Sequence, residues 1–533
     1  MSAATPLNLL PQPRSVTVAD GSFTLTSVAA IAGPVDWAAI VRRLIGPGTG
    51  CDLLPGEHGD LKLIKDDGLP PEGYRLTVNG DGIAITAADD RGVNWAAQTL
   101  KQLLPVPCFG PAPALRNGSR GGTAVPYVEI EDEPRFAWRG VMLDTGRHFT
   151  PYHELIGLVD LLAMHKYNTF HLHLTEDQGW RFESKKYPQL TEISSWRTET
   201  KNPHWAAGDG TPHGGFYSQD QLRALVSYAE QRGITVVPEI EFPGHVLAVL
   251  EAMPELGNHP GTGYRAATTW GVFPEVLNMS DQALAFAFDI WEEVLDIFPS
   301  RYVHVGGDEC PRSEWEESSA ARQLAAERGL PGPDHLQRWF TEQLRDWLAE
   351  RDRQLVGWDE INDEGILAGA VTMAWRDEKY GVAAAQGGLP VVVAPVSKTY
   401  FDYYPSDDPD EYYSIGGLID TERAYSLEPT EGIPAELHDQ ILGTQCQVWT
   451  EYMPTMRRVQ YMLFPRACAH SEVAWSDPDG RSWQEFSDRL AGHLTRLDLL
   501  GVDYRPESGA RPWQRGGTGL RQRPAAHRKG ATA

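Results

Sequence analysis

From about residue 135 onward, short runs of β-branched and apolar residues alternate with longer stretches whose apolar positions recur at helical spacing. Eight such runs predict buried strands: Gly140–Leu143, Thr169–Leu174, Thr235–Ile240, Tyr302–Val305, Gln354–Trp358, Val371–Trp375, Val391–Val396 and Gly443–Trp449. Helical spacing recurs at 151–165, 219–232, 282–297, 334–351, 455–470 and 484–498. Together they predict an α/β fold, a (β/α)8 TIM barrel at residues 135–505. A doubly wound open sheet is the rival, and no glycine-rich dinucleotide fingerprint follows the first strand to support it.

The chain before residue 135 has a different pattern, which predicts a small α+β domain at residues 1–134. Two alternating stretches, 74–78 and 83–87, flank Asn79-Gly80-Asp81-Gly82, a sequence typical of a hairpin turn. Apolar residues then recur at helical spacing from Val93 to Leu104. The segment Pro111–Gly122 predicts a loop before the barrel, and the glycine- and arginine-rich stretch 506–533 predicts a flexible C-terminal tail.

Composition and charge limit the class of partner. The formal net charge of the 533 residues is −26, which disfavours nucleic acid and anionic membrane surfaces. No apolar run reaches the roughly 18 residues that a membrane span needs. The first residues lack the charged and apolar regions of a signal peptide. The sequence therefore predicts a cytoplasmic protein, or a secreted one whose leader has been removed.

Metal binding is the first chemistry to weigh. The five cysteines are scattered and form no C-x-x-C pair, which disfavours a disulfide framework and a zinc site. His171 and His173 alternate on a predicted strand, so their rings share one face, an arrangement that can serve zinc. A buried, hydrogen-bonded structural role is favoured instead, because Arg139 and several tryptophans at this end of the barrel indicate a site of a different kind. We expect no metal and no cofactor.

The residues that close the predicted strands converge on one mouth of the barrel. Asp308 and Glu309 follow the fourth strand, after two glycines that let the backbone bend where a ligand approaches. Tryptophans end strands five, six and eight, and charged residues stand beside them. Indole faces pack on pyranose rings while carboxylates and arginines bind hydroxyls, so the set predicts a sugar pocket. The alternative is that the tryptophans merely plug the top of the barrel.

These motifs, in this order, resemble glycoside hydrolase family 20, the β-N-acetylhexosaminidases. The matching segments are 138–144, 171–180, 243–245, 304–309, 357–360, Tyr400 with Asp402, and Trp449 with Glu451. The resemblance runs from about residue 8 to about residue 500, and its first part is similar to the small α+β domain that precedes the barrel in this family. It implies an exo-acting enzyme that hydrolyses terminal non-reducing β-linked GlcNAc or GalNAc.

The resemblance also implies substrate-assisted retaining catalysis, in which the 2-acetamido oxygen of the sugar attacks C1 and forms an oxazolinium ion. Glu309 is then expected to be the general acid and base, and Asp308 to orient the acetamido group and stabilise its developing positive charge. The expected acetamido pocket is aromatic, with Tyr400 as a hydrogen-bond donor to the acetamido oxygen and with three indole walls: Trp358, Trp375 and Trp449.

The remaining expected roles concern the ring hydroxyls and the tuning of the acid. Arg139, Asp402 and Glu451 are expected to hold the ring hydroxyls. His245 is expected to pair with an acid at the end of the second strand and to tune Glu309. Here the sequence has Glu176 and Asp177 where one common form of the motif has two aspartates, so either can be the partner.

Two other functions stay open at this stage. One is a glycosidase of the same fold that releases a disaccharide, with a pocket open beyond the first sugar. The other is a catalytically silent sugar-binding protein, against which the intact Asp308, Glu309 and Tyr400 argue. The sequence does not separate GlcNAc from GalNAc and does not predict the oligomeric state.

Overall fold

The computed structural model describes residues 7–110, 122–202, 207–511 and 513–514. Two main apolar cores divide these residues. One lies inside an N-terminal sheet and the helices that cover it, and the other fills and surrounds a barrel. Trp475, from the barrel part of the chain, packs into the N-terminal core and so joins the two.

The N-terminal part is a seven-stranded sheet in the order β1-β7-β5-β6-β4-β2-β3. Its strands are β1 Ser15–Leu25, β2 Ala30–Ala32, β3 Leu54–Pro55, β4 Leu61–Lys65, β5 Tyr74–Asn79, β6 Gly82–Ala87 and β7 Thr123–Asp132. The predicted hairpin is formed by β5 and β6, which pair antiparallel with Asn79 opposite Gly82. At its turn Asn79 Oδ1 accepts a hydrogen bond from the backbone N–H of Asp81 at 2.9 Å.

The rest of the chain forms a closed parallel barrel of eight strands, which confirms the predicted (β/α)8 fold. Four two-residue strands form pairs outside it: β10 Thr175–Glu176, β11 Gly179–Trp180, β12 Trp196–Arg197 and β13 His213–Gly214. The barrel strands are β8 Trp138–Asp144, β9 Thr169–His173, β14 Thr235–Glu239, β15 Tyr302–His304, β16 Gln354–Trp358, β17 Val371–Ala374, β18 Val391–Val393 and β19 Ile441–Val448. Because β19 pairs with β8, the sheet has no open edge.

Helices cover the sheet and the outside of the barrel. They are α1 Val35–Thr49, α2 Asp90–Leu103, α3 Tyr152–Met164, α4 Gln189–Ser194, α5 Gln219–Glu230, α6 Leu247–Ala252, α7 Asp281–Ile297, α8 Ser313–Glu317, α9 Ser319–Glu327, α10 Leu336–Ala349, α11 Glu378–Gln386, α12 Val396–Thr399, α13 Thr421–Tyr425, α14 Met456–Leu463, α15 Arg466–Trp475 and α16 Trp483–Leu499. The predicted helix 455–470 is two helices, because Pro465 has no N–H to continue the first one. Within the described ranges, no helix is both long and apolar enough to cross a bilayer.

The amino end of the barrel packs against the N-terminal sheet through a buried ion pair. Arg139, near the start of β8, donates from Nη2 to Glu72 and from Nε to the carbonyl of Lys166 at 2.9 Å. The Trp95 and Trp475 rings lie 5.6 and 4.9 Å from its guanidinium carbon. The prediction that Arg139 holds substrate hydroxyls is therefore wrong, because its guanidinium is hydrogen-bonded to Glu72 and Lys166 at the end of the barrel opposite the mouth.

The chain after α16 returns to the barrel. Arg511 Nη2 donates to Asp498 at 2.6 Å, and Gln514 Nε2 donates to Asp503 at 2.6 Å and to the carbonyl of Tyr504 at 2.8 Å. The beginning of the predicted tail is thus held by hydrogen bonds. Residues 111–121 of the loop predicted at 111–122, and residues 512 and 515–533 of the tail predicted at 506–533, lie outside the described residues.

Candidate active site

The turn after β15 separates two neighbouring carboxylates. Gly306 and Gly307 have φ angles of +67° and +94°, and a Cβ on Gly306 would lie 1.8 Å from Glu241 Oε2, so only glycine fits there. Glu309 itself has a φ of +45°, which is strained for a residue with a side chain. As a result Asp308 is buried, with 12% of its side chain exposed, whereas 41% of the Glu309 side chain is exposed.

Asp308 is a buried carboxylate that lies near several other charged side chains. Its pKa is raised to about 6, chiefly by burial and also by the nearby carboxylates of Glu239 and Glu309, against the opposing effect of His245. Its Oδ1 atom is buried and has no hydrogen-bond partner among the described residues. A ligand N–H placed against this atom would supply the missing bond.

His245 lies between two pairs of acids. Its Nδ1 atom is 2.8 Å from Glu176 Oε1 and 3.0 Å from Asp177 Oδ2, so the structure brings both candidate partners to the ring. On its other side Nε2 is 3.8 Å from Asp308 Oδ2 and 3.9 Å from Glu309 Oε2. Burial lowers the pKa of His245, but Glu176 and Asp177 outweigh it and hold that pKa well above its usual range. A charged imidazolium therefore faces the two carboxylates after β15.

Four aromatic side chains form a continuous wall at the mouth. The Trp375 and Tyr400 rings stack at 5.8 Å, and Tyr400 lies 6.4 Å from Trp449. Trp449 in turn lies 5.7 Å from Trp358, which is almost fully buried. The structure therefore brings together all four aromatic residues that the sequence assigned to one pocket, although they end or follow four different strands.

Acids behind this wall hold two of the indole rings in place. Trp358 Nε1 donates to Glu239 Oε1 and Trp375 Nε1 donates to Glu360 Oε2, both at 2.9 Å. Burial raises the pKa of Glu360 to about 8, with Asp308 among the contributing charges. Sequence reasoning did not assign roles to Glu239 and Glu360. The sequence feature that could have identified them is their position at the carboxyl ends of strands β14 and β16.

Next to the aromatic wall, an arginine and two acids form a polar wall. Arg147 Nη2 lies 3.1 Å from Glu176 Oε2, and its guanidinium carbon lies 4.9 Å from the centre of the Trp449 ring. Asp402 Oδ1 and Glu451 Oε2 are buried without a hydrogen-bond partner among the described residues. Burial raises the pKa of Asp402 well above its usual range and that of Glu451 to about 7.

Arg147 thus occupies the position that the sequence analysis gave to Arg139. The signal that distinguishes them is the direction of β8, which begins at Trp138 and ends at Asp144. Arg139 lies at its amino end, whereas Arg147 follows its carboxyl end, which is where the active sites of barrel enzymes lie.

The histidines weighed as metal ligands are buried below the mouth. His173 Nε2 is 3.0 Å from Glu176 Oε2, and His171 Nε2 is 3.0 Å from Glu239 Oε2. His171, Glu239 and His304 have ligand atoms within 4.8 Å of one another, a spacing that a metal could use. Glu239 already accepts the indole N–H of Trp358. Burial lowers the pKa of His173, but the nearby Glu239 more than offsets this effect, and the pKa of His173 is raised to about 10. These contacts fit a hydrogen-bonded layer that supports the site.

Comparison with known proteins agrees with this geometry. Residues 136–478 match the family model described as glycosyl hydrolase family 20, catalytic domain, and residues 6–133 match domain 2 of the same family. A beta-hexosaminidase of Porphyromonas gingivalis is 37% identical over 93% of this chain and 64% of its own length. A beta-hexosaminidase of Vibrio furnissii is 33% identical over 87% of this chain and 76% of its own length.

Two solved structures have the same fold. The GH20 exo beta-N-acetylglucosaminidase of Vibrio harveyi, in complex with N-acetylglucosamine, aligns with a TM-score of 0.83 and 32% identity over 94% of this chain and 78% of that chain. The GH20 beta-N-acetylhexosaminidase of Streptomyces coelicolor aligns with a TM-score of 0.82 and 28% identity over 96% of this chain and 99% of that chain. On the family match and these similarities, the chain belongs to glycosyl hydrolase family 20.

Proposed function

We propose that this protein is an exo-acting β-N-acetylhexosaminidase that removes terminal β-linked GlcNAc or GalNAc by substrate-assisted retaining catalysis. The observation that carries the proposal is the separation of Asp308, buried beside an aromatic wall, from Glu309, exposed at the mouth. The names of the relatives and the bound N-acetylglucosamine of the Vibrio harveyi enzyme support it. The net charge of −26 also favours a neutral glycan over nucleic acid or an anionic bilayer.

Asp308 orients the nucleophile, which belongs to the substrate. The acetamido group of the sugar lies against the wall of Trp358, Trp375 and Trp449, and Tyr400 donates to its oxygen. That oxygen attacks C1, and the acetamido nitrogen gains positive charge as the oxazolinium ring closes. The unpartnered Oδ1 of Asp308 accepts the N–H and stabilises this charge in a buried site where such an interaction is strong.

Glu309 moves the proton. Its side chain is exposed at the mouth, and it protonates the glycosidic oxygen as the bond to C1 breaks. It then removes a proton from the water that opens the oxazolinium ring, which restores the sugar with retention at C1. His245, held by Glu176 and Asp177, keeps a positive charge 3.9 Å from Glu309 and limits the mutual repulsion of Asp308 and Glu309.

The polar wall binds the ring hydroxyls. Among the described residues, buried oxygen atoms of Asp402 and Glu451 have no hydrogen-bond partner. Arg147 Nη1 makes no hydrogen bond there either, although it lies 3.6 Å from Asp144 Oδ2. Hydroxyl groups are both donors and acceptors, so a sugar ring can satisfy all three side chains at once. This replaces the role that the sequence analysis gave to Arg139.

Three nitrophenyl β-glycosides test the proposal: those of GlcNAc, of GalNAc and of glucose. Hydrolysis of at least one of the first two is expected, and the glucoside should be inert because it lacks the acetamido nucleophile. A thiazoline analogue of the oxazolinium ion should inhibit far better than free GlcNAc, because it shares the contacts of the intermediate. Failure of the folded protein to hydrolyse either N-acetyl substrate would refute the function. Turnover of the glucoside at a similar rate would refute the mechanism.

A further inference from the structure

A buried arginine without a hydrogen-bond partner, Arg458, lies in the wall of a cavity outside the sugar site. None of its three guanidinium nitrogens makes a hydrogen bond within the described residues, and only 7% of the residue is exposed. Burial lowers the pKa of Arg458 to about 10, so the side chain stays charged at neutral pH. A buried guanidinium that uses none of its five N–H groups is costly, and buried charges in proteins are normally paired.

Helix α14 and two tyrosines hold Arg458 in this position. It is the third residue of the helix, and its backbone N–H donates to the Thr455 hydroxyl at 3.3 Å. Its guanidinium carbon lies 3.7 Å from the centre of the Tyr412 ring and 5.1 Å from that of Tyr461. Ring contacts engage the face of a guanidinium, whereas the N–H groups lie in its plane and here still lack acceptors. The first turn of a helix also carries the positive end of the helix dipole, which favours an anion.

The carboxylate whose charge acts on Arg458 is that of Glu411, and it is already engaged. Its Oε1 atom accepts hydrogen bonds from Arg505 Nε at 2.5 Å and from the Ser406 hydroxyl at 2.7 Å. Its Oε2 atom accepts from the Tyr461 hydroxyl at 2.7 Å. Glu411 therefore pairs with Arg505, and Arg458 still needs an anion of its own.

The cavity has a volume of about 710 Å³, within the range of small-molecule binding sites. Besides Arg458, its wall contains aromatic side chains from separate segments: Trp270, Tyr412, Tyr413, Tyr452 and Trp513. Trp513 is 65% exposed and Tyr413 is 45% exposed, so this wall reaches solvent. The indole Nε1 of Trp270 is a further buried donor without a partner among the described residues. The space holds more than an inorganic ion, and its rings favour a ligand with an apolar or ring-shaped body.

The other charged groups in this wall already have partners. Arg457 Nε lies 2.9 Å from Asp503 Oδ2. Asp209 Oδ1 accepts from two backbone N–H groups at 2.9 and 3.0 Å. Glu451, where the cavity meets the mouth, interacts with the charge of Arg147. The charge that remains unpaired in the described part of this wall is the buried guanidinium on α14.

We propose that Arg458 anchors a second binding site, which takes a small organic anion: a carboxylate or phosphate group on a ring-sized body. The anionic group accepts from the guanidinium N–H groups, whose fork geometry matches two oxygen atoms of either group. The ring-sized body packs among the aromatic side chains of the cavity. The inference does not depend on the proposed activity, because Arg458 takes no part in that mechanism.

The test is the binding of phenyl phosphate and of benzoate to the full chain, measured by isothermal titration calorimetry at constant ionic strength. Benzyl alcohol is the neutral control. We expect one-to-one saturable binding of at least one anion and no saturable binding of the alcohol over the same concentrations. The bound anion should also raise Tm, because a ligand that binds only the folded state stabilises it. Absence of saturable binding by both anions at millimolar concentrations, or equal binding of the alcohol, would overturn the proposal.

Variants locate the anion. Arg458→Gln should weaken binding about tenfold or more, the loss expected for a hydrogen bond between charged groups. Without ligand, this variant should keep or raise the wild-type Tm, because it removes an unpaired buried charge. Arg457→Gln is the matched control, since the neighbouring side chain is 71% exposed and already paired with Asp503. It should change the affinity less than about threefold, as expected for an exposed charge.

Three results would overturn the assignment of Arg458. The first is equal affinity in the wild type and in Arg458→Gln. The second is a loss of binding in Arg147→Gln with Arg458→Gln unaffected, which would place the anion at the sugar site. The third is a lower Tm for ligand-free Arg458→Gln together with no anion binding by the wild type, which would show that the guanidinium serves only to pack on Tyr412.

Discussion

The guanidinium carbon of Arg147 lies 4.9 Å from the centre of the Trp449 indole ring. The same side chain reaches Glu176, which also contacts His245, so one arginine joins the polar wall, the aromatic wall and the acids that hold His245. Burial works against the charge of Arg147, yet Glu176 and Asp144 hold its pKa well above the usual range. Arg147 is therefore a permanent cation beside the acids of the polar wall.

Arg147→Gln should lower kcat/KM for the nitrophenyl N-acetylglucosaminide by about 100-fold or more. The variant loses a charged hydrogen bond to a sugar hydroxyl and removes the guanidinium charge beside Glu176 and Glu451. Steady-state kinetics with a thermal melt checks this. A drop of less than threefold in a folded variant would contradict the placement of Arg147 in the site.

Arg139→Gln should have the opposite result, with a lower Tm and a nearly unchanged kcat/KM. Its loss breaks a fully buried ion pair with Glu72 at the interface of the two domains, a change that costs about 3 kcal/mol or more. Differential scanning calorimetry measures the loss, and kinetics below the transition measures the activity. A variant that kept its Tm and lost activity would instead put Arg139 among the residues that bind substrate.

The strands of the barrel could be predicted from the sequence, whereas the side chains that meet at its mouth could be predicted only in part. The eight strands were predictable because each is a short apolar run bounded by helical periodicity, and the glycine pair before Asp308 marks a turn. The role given to Arg139 came from the family resemblance, although the predicted strand Gly140–Leu143 already put Arg139 at the amino end, away from the mouth. The contact of Glu239 with Trp358 spans 119 positions, and no local pattern reports a pairing that only barrel closure creates.

Glu309→Gln should lower kcat about 10²–10⁴-fold with chitobiose, whose leaving group needs a proton. The loss should be smaller with nitrophenyl glycosides, because nitrophenolate leaves without full protonation. Product release from both substrates under the same conditions measures the difference. Equal losses with both leaving groups would argue that Glu309 acts on something other than the glycosidic oxygen.

Asp308 should account for an acid limb in the pH dependence of kcat/KM. Its carboxylate stabilises positive charge only when ionised, and burial raises its pKa to about 6, so activity should fall as the pH drops below that value. Asp308→Asn should have a much lower kcat and no limb near pH 6. If the limb persists at the same pH in the variant, another group is responsible for it.

Asp308→Asn should also stabilise the protein at neutral pH. The pKa of Asp308 is about 6 in the folded chain against about 3.9 when unfolded, so the folded state favours the protonated form. Its contribution is fully favourable below the unfolded pKa and is lost as the pH rises through the folded one. The penalty above pH 6 is at most about 3 kcal/mol, and asparagine removes it. Tm should therefore rise in the variant at pH 7.5 and differ little from wild type at pH 4, whereas the exposed hairpin change Asp81→Asn should shift neither. An unchanged or lower Tm for Asp308→Asn at pH 7.5 would mean that the buried charge is already compensated in the folded protein.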